Sequence, residues 1–154
     1  MIDLLALCAF NAAYAETIDS DALERWPDFF TDDCHYRITH AENEREGLAA
    51  GIVFADSRAM LEDRIAALRE ANIYERQRYR HLLGVPLLEV ADEHSARAST
   101  PFMVARIMAH GETQLFATGV YRDRFVRVDG KLLLAERVAV CDSTVTDTLM
   151  ALPL

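Results

Sequence analysis

Five histidines and three cysteines are the side chains of this 154-residue sequence best suited to metal or redox chemistry, yet their spacing supports neither. His35 and His40 are five residues apart, so on one strand they point to opposite sheet faces and cannot chelate together. His81, His94 and His110 stand near expected strand ends or turns, none beside a ligand motif. Cys8, Cys34 and Cys141 are widely spaced and odd in number, which gives neither a disulfide framework nor a paired zinc–thiolate motif. No metal and no cofactor is therefore assigned to this chain. Acid–base chemistry could come from Tyr14, Asp33, His35, His81 and Asp142, provided the fold gathered them in one pocket. The sequence contains no G-x-G-x-x-G fingerprint, P-loop, serine elbow or zinc-protease pair, and GLAAG at 47–51 lacks the strand–turn–helix setting of a nucleotide loop. The hydroxyls of CDSTVTDT at 141–148 have no adjacent base and read as a polar segment with local backbone hydrogen bonds.

The densest constellation is YERQRYRHLL at 74–83, with Tyr74 and Tyr79 among Arg76, Arg78, Arg80 and His81. On a strand, Arg78 and Arg80 share one face while Tyr79 and His81 share the other. A pair of guanidinium forks suits carboxylates at a wet subunit boundary, so Arg78 and Arg80 are the candidate interface residues. Nucleic acid is a poor partner for this run because the whole chain carries a net charge of −9. The same acidity, concentrated at Asp28/Asp32/Asp33 and Glu42/Glu44/Glu46, argues against anionic membrane surfaces.

The elements that must position these residues form one domain over 1–154. About half the residues are hydrophobic, enough for a sizeable core. The opening MIDLLALCAFNAAYAE lacks a basic leader and reads as an amphipathic helix over 3–18 of a cytoplasmic protein, with Leu4, Leu5, Cys8, Ala12 and Ala15 as its packed stripe. No stretch is apolar for long enough to suggest a membrane span. Asp19-Ser20-Asp21 offers a cap for a short helix over 21–26 that Pro27 ends, and Trp26, Phe29 and Phe30 close one end of the core. Residues 34–39 read as a strand, HAENEREGLAAG as a polar bend, and GIVFA as a short extended stretch. Asp56 or Ser57 caps a helix over 56–69 with Met60, Leu61, Ile65 and Leu68 on its apolar stripe. Gly84 and Pro86 interrupt the β structure that begins near Tyr79, marking an edge or bulge. Strands follow near 95–109 and 112–128, reversing at His110-Gly111. Asp129-Gly130 then supplies the positive-φ pair of a tight hairpin before the final strand, and the concluding LMALPL packs against the domain or a subunit.

Four segments carry a resemblance beyond this physical reading: WPDFFTDDCHYRIT at 26–39, DSRAMLEDRIAALR at 56–69, RQRYRHLL at 76–83 and YRDRFVRVDGKLLLAERVAVCDS at 121–143. Over essentially its whole length the chain resembles the small, β subunits of aromatic-ring-hydroxylating dioxygenases, and the ending CDSTVTDTLMALPL resembles one subgroup more specifically. The resemblance implies an α+β, nuclear-transport-factor-like cone: helices packed against a strongly curved, mostly antiparallel sheet. It implies a structural subunit without catalytic residues, assembled as α3β3 with large (α) subunits and other β subunits. Such a large subunit would hold a Rieske [2Fe-2S] cluster and a mononuclear non-haem Fe(II). A reductase would supply electrons from NADPH or NADH, and dioxygen would be added to an aromatic carboxylate to give a cis-dihydrodiol. The absence of a C-x-H…C-x-x-H pattern here suits that division of labour. The alternative is a stand-alone cone-fold lyase or isomerase using Asp33, His35, His81 and Asp142. An open buried cavity with a close Asp–His pair would favour that enzyme; a core filled by aromatic and aliphatic side chains would favour the scaffold.

Overall fold

The computed structural model describes residues 1–47, 53–71, 76–143 and 152–154. Asp3 opens the first helix, accepting a hydrogen bond from the Ala6 amide at 2.8 Å, and α1 runs Leu4–Asp19. Its buried face holds Leu7, Asn11, Tyr14, Ala15 and Ile18, whereas Leu4, Leu5 and Ala12 are exposed. The expected stripe was therefore misplaced around the helix. Apolar residues occur on every side of α1, so spacing alone could not select the face that docks.

A 3₁₀ segment, Leu23–Phe29, replaces the expected helix at 21–26 and includes Pro27. Its cap, Ala22, makes no side-chain bond, so the Asp19–Asp21 cap is not used there. β1 then spans Phe30–His40, longer than expected at both ends. The polar bend begins as a short helix, α2, Ala41–Arg45, whose first turn is capped by the His40 ring. β2 is Val53–Ala55. The remainder of GLAAG and GIVFA, Tyr74, most of CDSTVTDT and the first half of LMALPL lie outside the described residues, whereas Leu152 and Leu154 are buried, so that end packs against the domain.

Helix α3, Arg58–Ala71, is capped by the Ser57 hydroxyl, which accepts from the Met60 amide at 3.2 Å. Leu61 and Ile65 are buried, Leu68 is half-buried against the core, and Met60 is exposed, so the stripe is narrower than its apolar residues suggested. Leu61→Ala is expected to cost about 2–5 kcal/mol. Glu62→Ala, on the solvent side, should change stability by about 0.5 kcal/mol or less. Chemical denaturation of both variants checks this; equal small losses would contradict the packing.

β3, Gln77–Leu83, and β4, Leu87–Ala91, follow on either side of the Gly84–Pro86 interruption. Both pair with β5, Ser95–Met108, and so form one broken edge. β5, β6 (Thr113–Val128) and β7 (Lys131–Cys141) make an antiparallel meander. Asp129 and Gly130 both take positive φ, 51° and 77°, as the tight hairpin between β6 and β7 requires.

The sheet order is β2-β1-β7-β6-β5-β3, with β4 beside β5. β1 lies parallel to β7, and every other pair is antiparallel. The α+β class stands, but the strongly curved cone does not: the strands form an open, mixed sheet. Its path ends at a three-residue strand on one side and a broken strand on the other. No pairing joins those two edges among the described residues, so nothing draws the sheet closed.

Candidate functional site

Strand parity places Asp123 on the helix-covered face of β6, between Tyr121 and Phe125, and β7 sets Arg137 directly opposite it. Both side chains are fully removed from solvent. Arg137 donates twice to the Asp123 carboxylate, each bond 2.8 Å, and once to Asn11 Oδ1 at 2.7 Å. Asn11 in turn donates to the Thr100 hydroxyl at 3.3 Å, tying α1 to β5. The guanidinium carbon lies 4.2 Å from the Tyr14 ring centroid and 4.1 Å from that of Tyr121, close enough for cation–π attraction to both. Burial leaves the Asp123 carboxyl above its ordinary range despite the opposing pull of Arg137, and burial works against the arginine's charge while the carboxylate beside it holds it above its own ordinary range. The twofold bond keeps the pair ionic.

Around this pair the interior is aromatic. Tyr14 donates to the Leu154 carbonyl at 2.8 Å and accepts from Trp26 Nε1 at 3.0 Å. Tyr36 bonds both the carbonyl and the amide of Leu154, at 3.1 and 3.0 Å. Trp26, Phe30 and Tyr36 meet edge to face at 5.1–5.9 Å, and Phe102 stacks on Tyr121 at 4.5 Å. Burial raises the phenols of Tyr14, Tyr36 and Tyr121, so at neutral pH they stay protonated. It likewise pushes the thiols of Cys34 and Cys141 up to about 11, and they are not nucleophiles there.

The structure scatters the five acid–base candidates. Tyr14 belongs to the core just described. Asp33 and His35 are exposed on β1, and Asp142 is exposed beyond β7, accepting from the Thr118 hydroxyl at 2.9 Å. His81 is buried, with Nδ1 2.7 Å from Asp19 Oδ1. No hydrogen bond joins any two of the five among the described residues. The Asp19–His81 contact is a close Asp–His pair, but it sits where α1 crosses β3, at the floor of an open groove of about 380 Å³. Asp19 also accepts from the His81 amide at 2.8 Å, which satisfies a backbone donor on the free edge of β3. This is an edge clasp between helix and strand. A larger groove of about 730 Å³ on the opposite sheet face is lined by Arg37, Glu44, Arg122, Glu136 and Asp142 and runs open along the surface.

Arg78 and Arg80 are exposed while Tyr79 and His81 are buried, as alternation on β3 requires. Neither arginine has an ion-pair partner among the described residues. Also among the described residues, no group of three or more His, Cys, Asp or Glu side chains is placed to hold a metal ion. Sequence reasoning missed the Arg137–Asp123 network, although one signal was there. In YRDRF, Asp123 has the parity of Tyr121 and Phe125, a charge on the apolar face of its strand.

Residues 1–138 match the SnoaL-like domain family. The chain is 68% identical, over all of its length and all of the relative's, to the β 1 subunit of the terminal oxygenase component of terephthalate 1,2-dioxygenase from a Comamonas species. It is 37% identical, over 92% of its own length and 88% of the relative's, to the anthranilate 1,2-dioxygenase small subunit of Burkholderia cepacia. Its backbone superposes with a TM-score of 0.90 on the β subunit of a candidate aromatic-ring-hydroxylating dioxygenase from Novosphingobium aromaticivorans. That match has 36% identity and covers 98% of this chain and 96% of the other.

Proposed function

The chain belongs to the SnoaL-like family and to the β-subunit family of aromatic-ring-hydroxylating dioxygenases, and on that premise we propose that it is the non-catalytic structural subunit of a terephthalate 1,2-dioxygenase-type oxygenase. The observation that carries this reading is the end-to-end identity of 68% with a subunit of that enzyme. The filled interior supports it: where a pocketed enzyme would need space, Arg137, Tyr14, Tyr121 and Phe102 pack against one another. In this proposal the complex is cytoplasmic and adds dioxygen to an aromatic carboxylate, giving a cis-dihydrodiol. The large subunit carries the Rieske cluster and the mononuclear iron, in an α3β3 assembly fed by an NADPH- or NADH-dependent reductase. At least one of Arg78 and Arg80 crosses a subunit boundary.

Co-expression with a large subunit, followed by mass measurement and a terephthalate turnover assay with reductase, tests the proposal. The expected result is an active complex that needs both subunits, with no stoichiometric iron in this chain purified alone. Dihydrodiol formation by this chain without a large subunit would sink it.

A further inference from the structure

Leu152, Pro153 and Leu154 are all buried, yet they belong to no helix or strand. They are held inside the domain as a ligand is held, through polar atoms of one residue. The Leu154 carbonyl accepts from two phenols, Tyr14 at 2.8 Å and Tyr36 at 3.1 Å, and the Leu154 amide donates to Tyr36 at 3.0 Å. These partners lie 140 and 118 residues away in the chain, so no local turn makes the arrangement. Burial keeps both phenols protonated, and each has a hydrogen for an acyl oxygen. Trp26 donates to the Tyr14 hydroxyl at 3.0 Å, which leaves the tyrosine's own proton for the carbonyl.

The surrounding walls are aromatic rings. Trp26 and Phe30 meet Tyr36 edge to face, and the Tyr14 and Tyr121 rings meet at 6.3 Å. Tyr121 is fully buried, and its hydroxyl has no partner among the described residues. Its phenol is near enough to raise that of Tyr36, so a further donor belongs to the same cluster. At the other end of the three residues, Leu152 lines an open groove of about 300 Å³ with Ile18, Arg76, Gln77 and Arg78. Leu152–Leu154 thus run from a surface groove into the aromatic interior.

We propose that this tyrosine cage is a binding site for small apolar acyl compounds, and that Leu152–Leu154 occupy it as a built-in ligand. Neither the site nor its occupant depends on the assembly proposed above. The chemistry recognised is one acyl oxygen, an adjoining N–H and a compact apolar group. An ordinary core position needs only the apolar group. Here two donors and one acceptor converge on a single residue among aromatic walls, the polar and apolar halves of a ligand pocket. Removing the segment leaves those hydroxyls short of partners, and a compound carrying the same groups restores the bonds.

Titration of acetyl-Leu-Pro-Leu-amide and of isovaleramide into the chain lacking Leu152–Leu154 tests this. The readouts are the unfolding midpoint and the fluorescence of Trp26, the one tryptophan of the sequence. Each compound should raise the midpoint by several degrees, saturably, and shift the emission, with no effect on the full chain. Tyr36→Phe in the truncated chain keeps the apolar walls and removes two of the three bonds, so it should weaken peptide binding at least tenfold. Leu154→Ala in the full chain serves where the truncated chain does not fold. It keeps the backbone bonds and vacates apolar volume, and benzene should raise its midpoint but not that of wild type. No saturable effect of the peptide, equal affinity with Tyr36→Phe, or a benzene response no different from wild type would overturn the proposal. A response to the peptide without one to isovaleramide would overturn the small-molecule class.

Discussion

Asp123→Ala is expected to destabilise the chain by about 3–5 kcal/mol, because it leaves the Arg137 guanidinium charged, buried and without its carboxylate. Arg137 has no accessible surface from which to recruit water, and its remaining described bond is to Asn11. The paired replacement Asp123→Leu with Arg137→Met should cost far less than the single change. It removes both desolvated charges and leaves apolar side chains among Tyr14, Tyr121 and Phe125. Urea unfolding with midpoint and slope measured for wild type, single and double variants separates the outcomes. A single variant within about 1 kcal/mol of wild type would mean that the pair is not the buried ionic contact described here, since an uncompensated core charge costs several times that.

Deleting Leu152–Leu154 should cost at least as much. Leu152 and Leu154 are both buried, and burying a leucine contributes about 1.5–3 kcal/mol. The deletion also strips Leu154 from the hydroxyls of Tyr14 and Tyr36, and each buried polar group left without a partner costs about 1–3 kcal/mol. Because these contributions overlap, roughly 5 kcal/mol is the expected loss. Leu154→Ala keeps the backbone bonds and loses only apolar burial, so it should fall well short of the deletion. Thermal or chemical unfolding of the two variants distinguishes them. Equal losses would show that the tyrosine–backbone bonds contribute nothing to the fold.

The meander of β5 to β7, the helix over 58–71 and the hairpin at Asp129-Gly130 were all legible in the sequence, because local forces specify them. Strict alternation marks a strand, a serine before an apolar stripe marks a helix start, and a positive-φ pair marks a tight turn. The alternation in RQRYRHLL likewise set Arg78 and Arg80 on the open face and Tyr79 and His81 on the covered one. The family resemblance was written in the same residues, and with it the expectation of a scaffold that works beside a larger partner.

Other features depended on contacts between distant parts of the chain. Which side of α1 docks was settled by Tyr14 and Leu7 filling the interior, since apolar residues ring that helix. The parallel pairing of β1 with β7, and the open path that replaced the expected cone, join the first strand to the last. The bond from Arg137 to Asn11 spans 126 residues, and that from Tyr36 to Leu154 spans 118. No periodicity within one helix or strand encodes such a partner. Local propensity chooses the elements and the faces of alternating strands, whereas burial of a charge is tolerable only where the assembled fold delivers its counter-charge. The sequence by itself therefore determined the late strands, the long helices and the family, and tertiary structure alone decided that, among the described residues, an ion pair and aromatic rings pack together beneath the sheet.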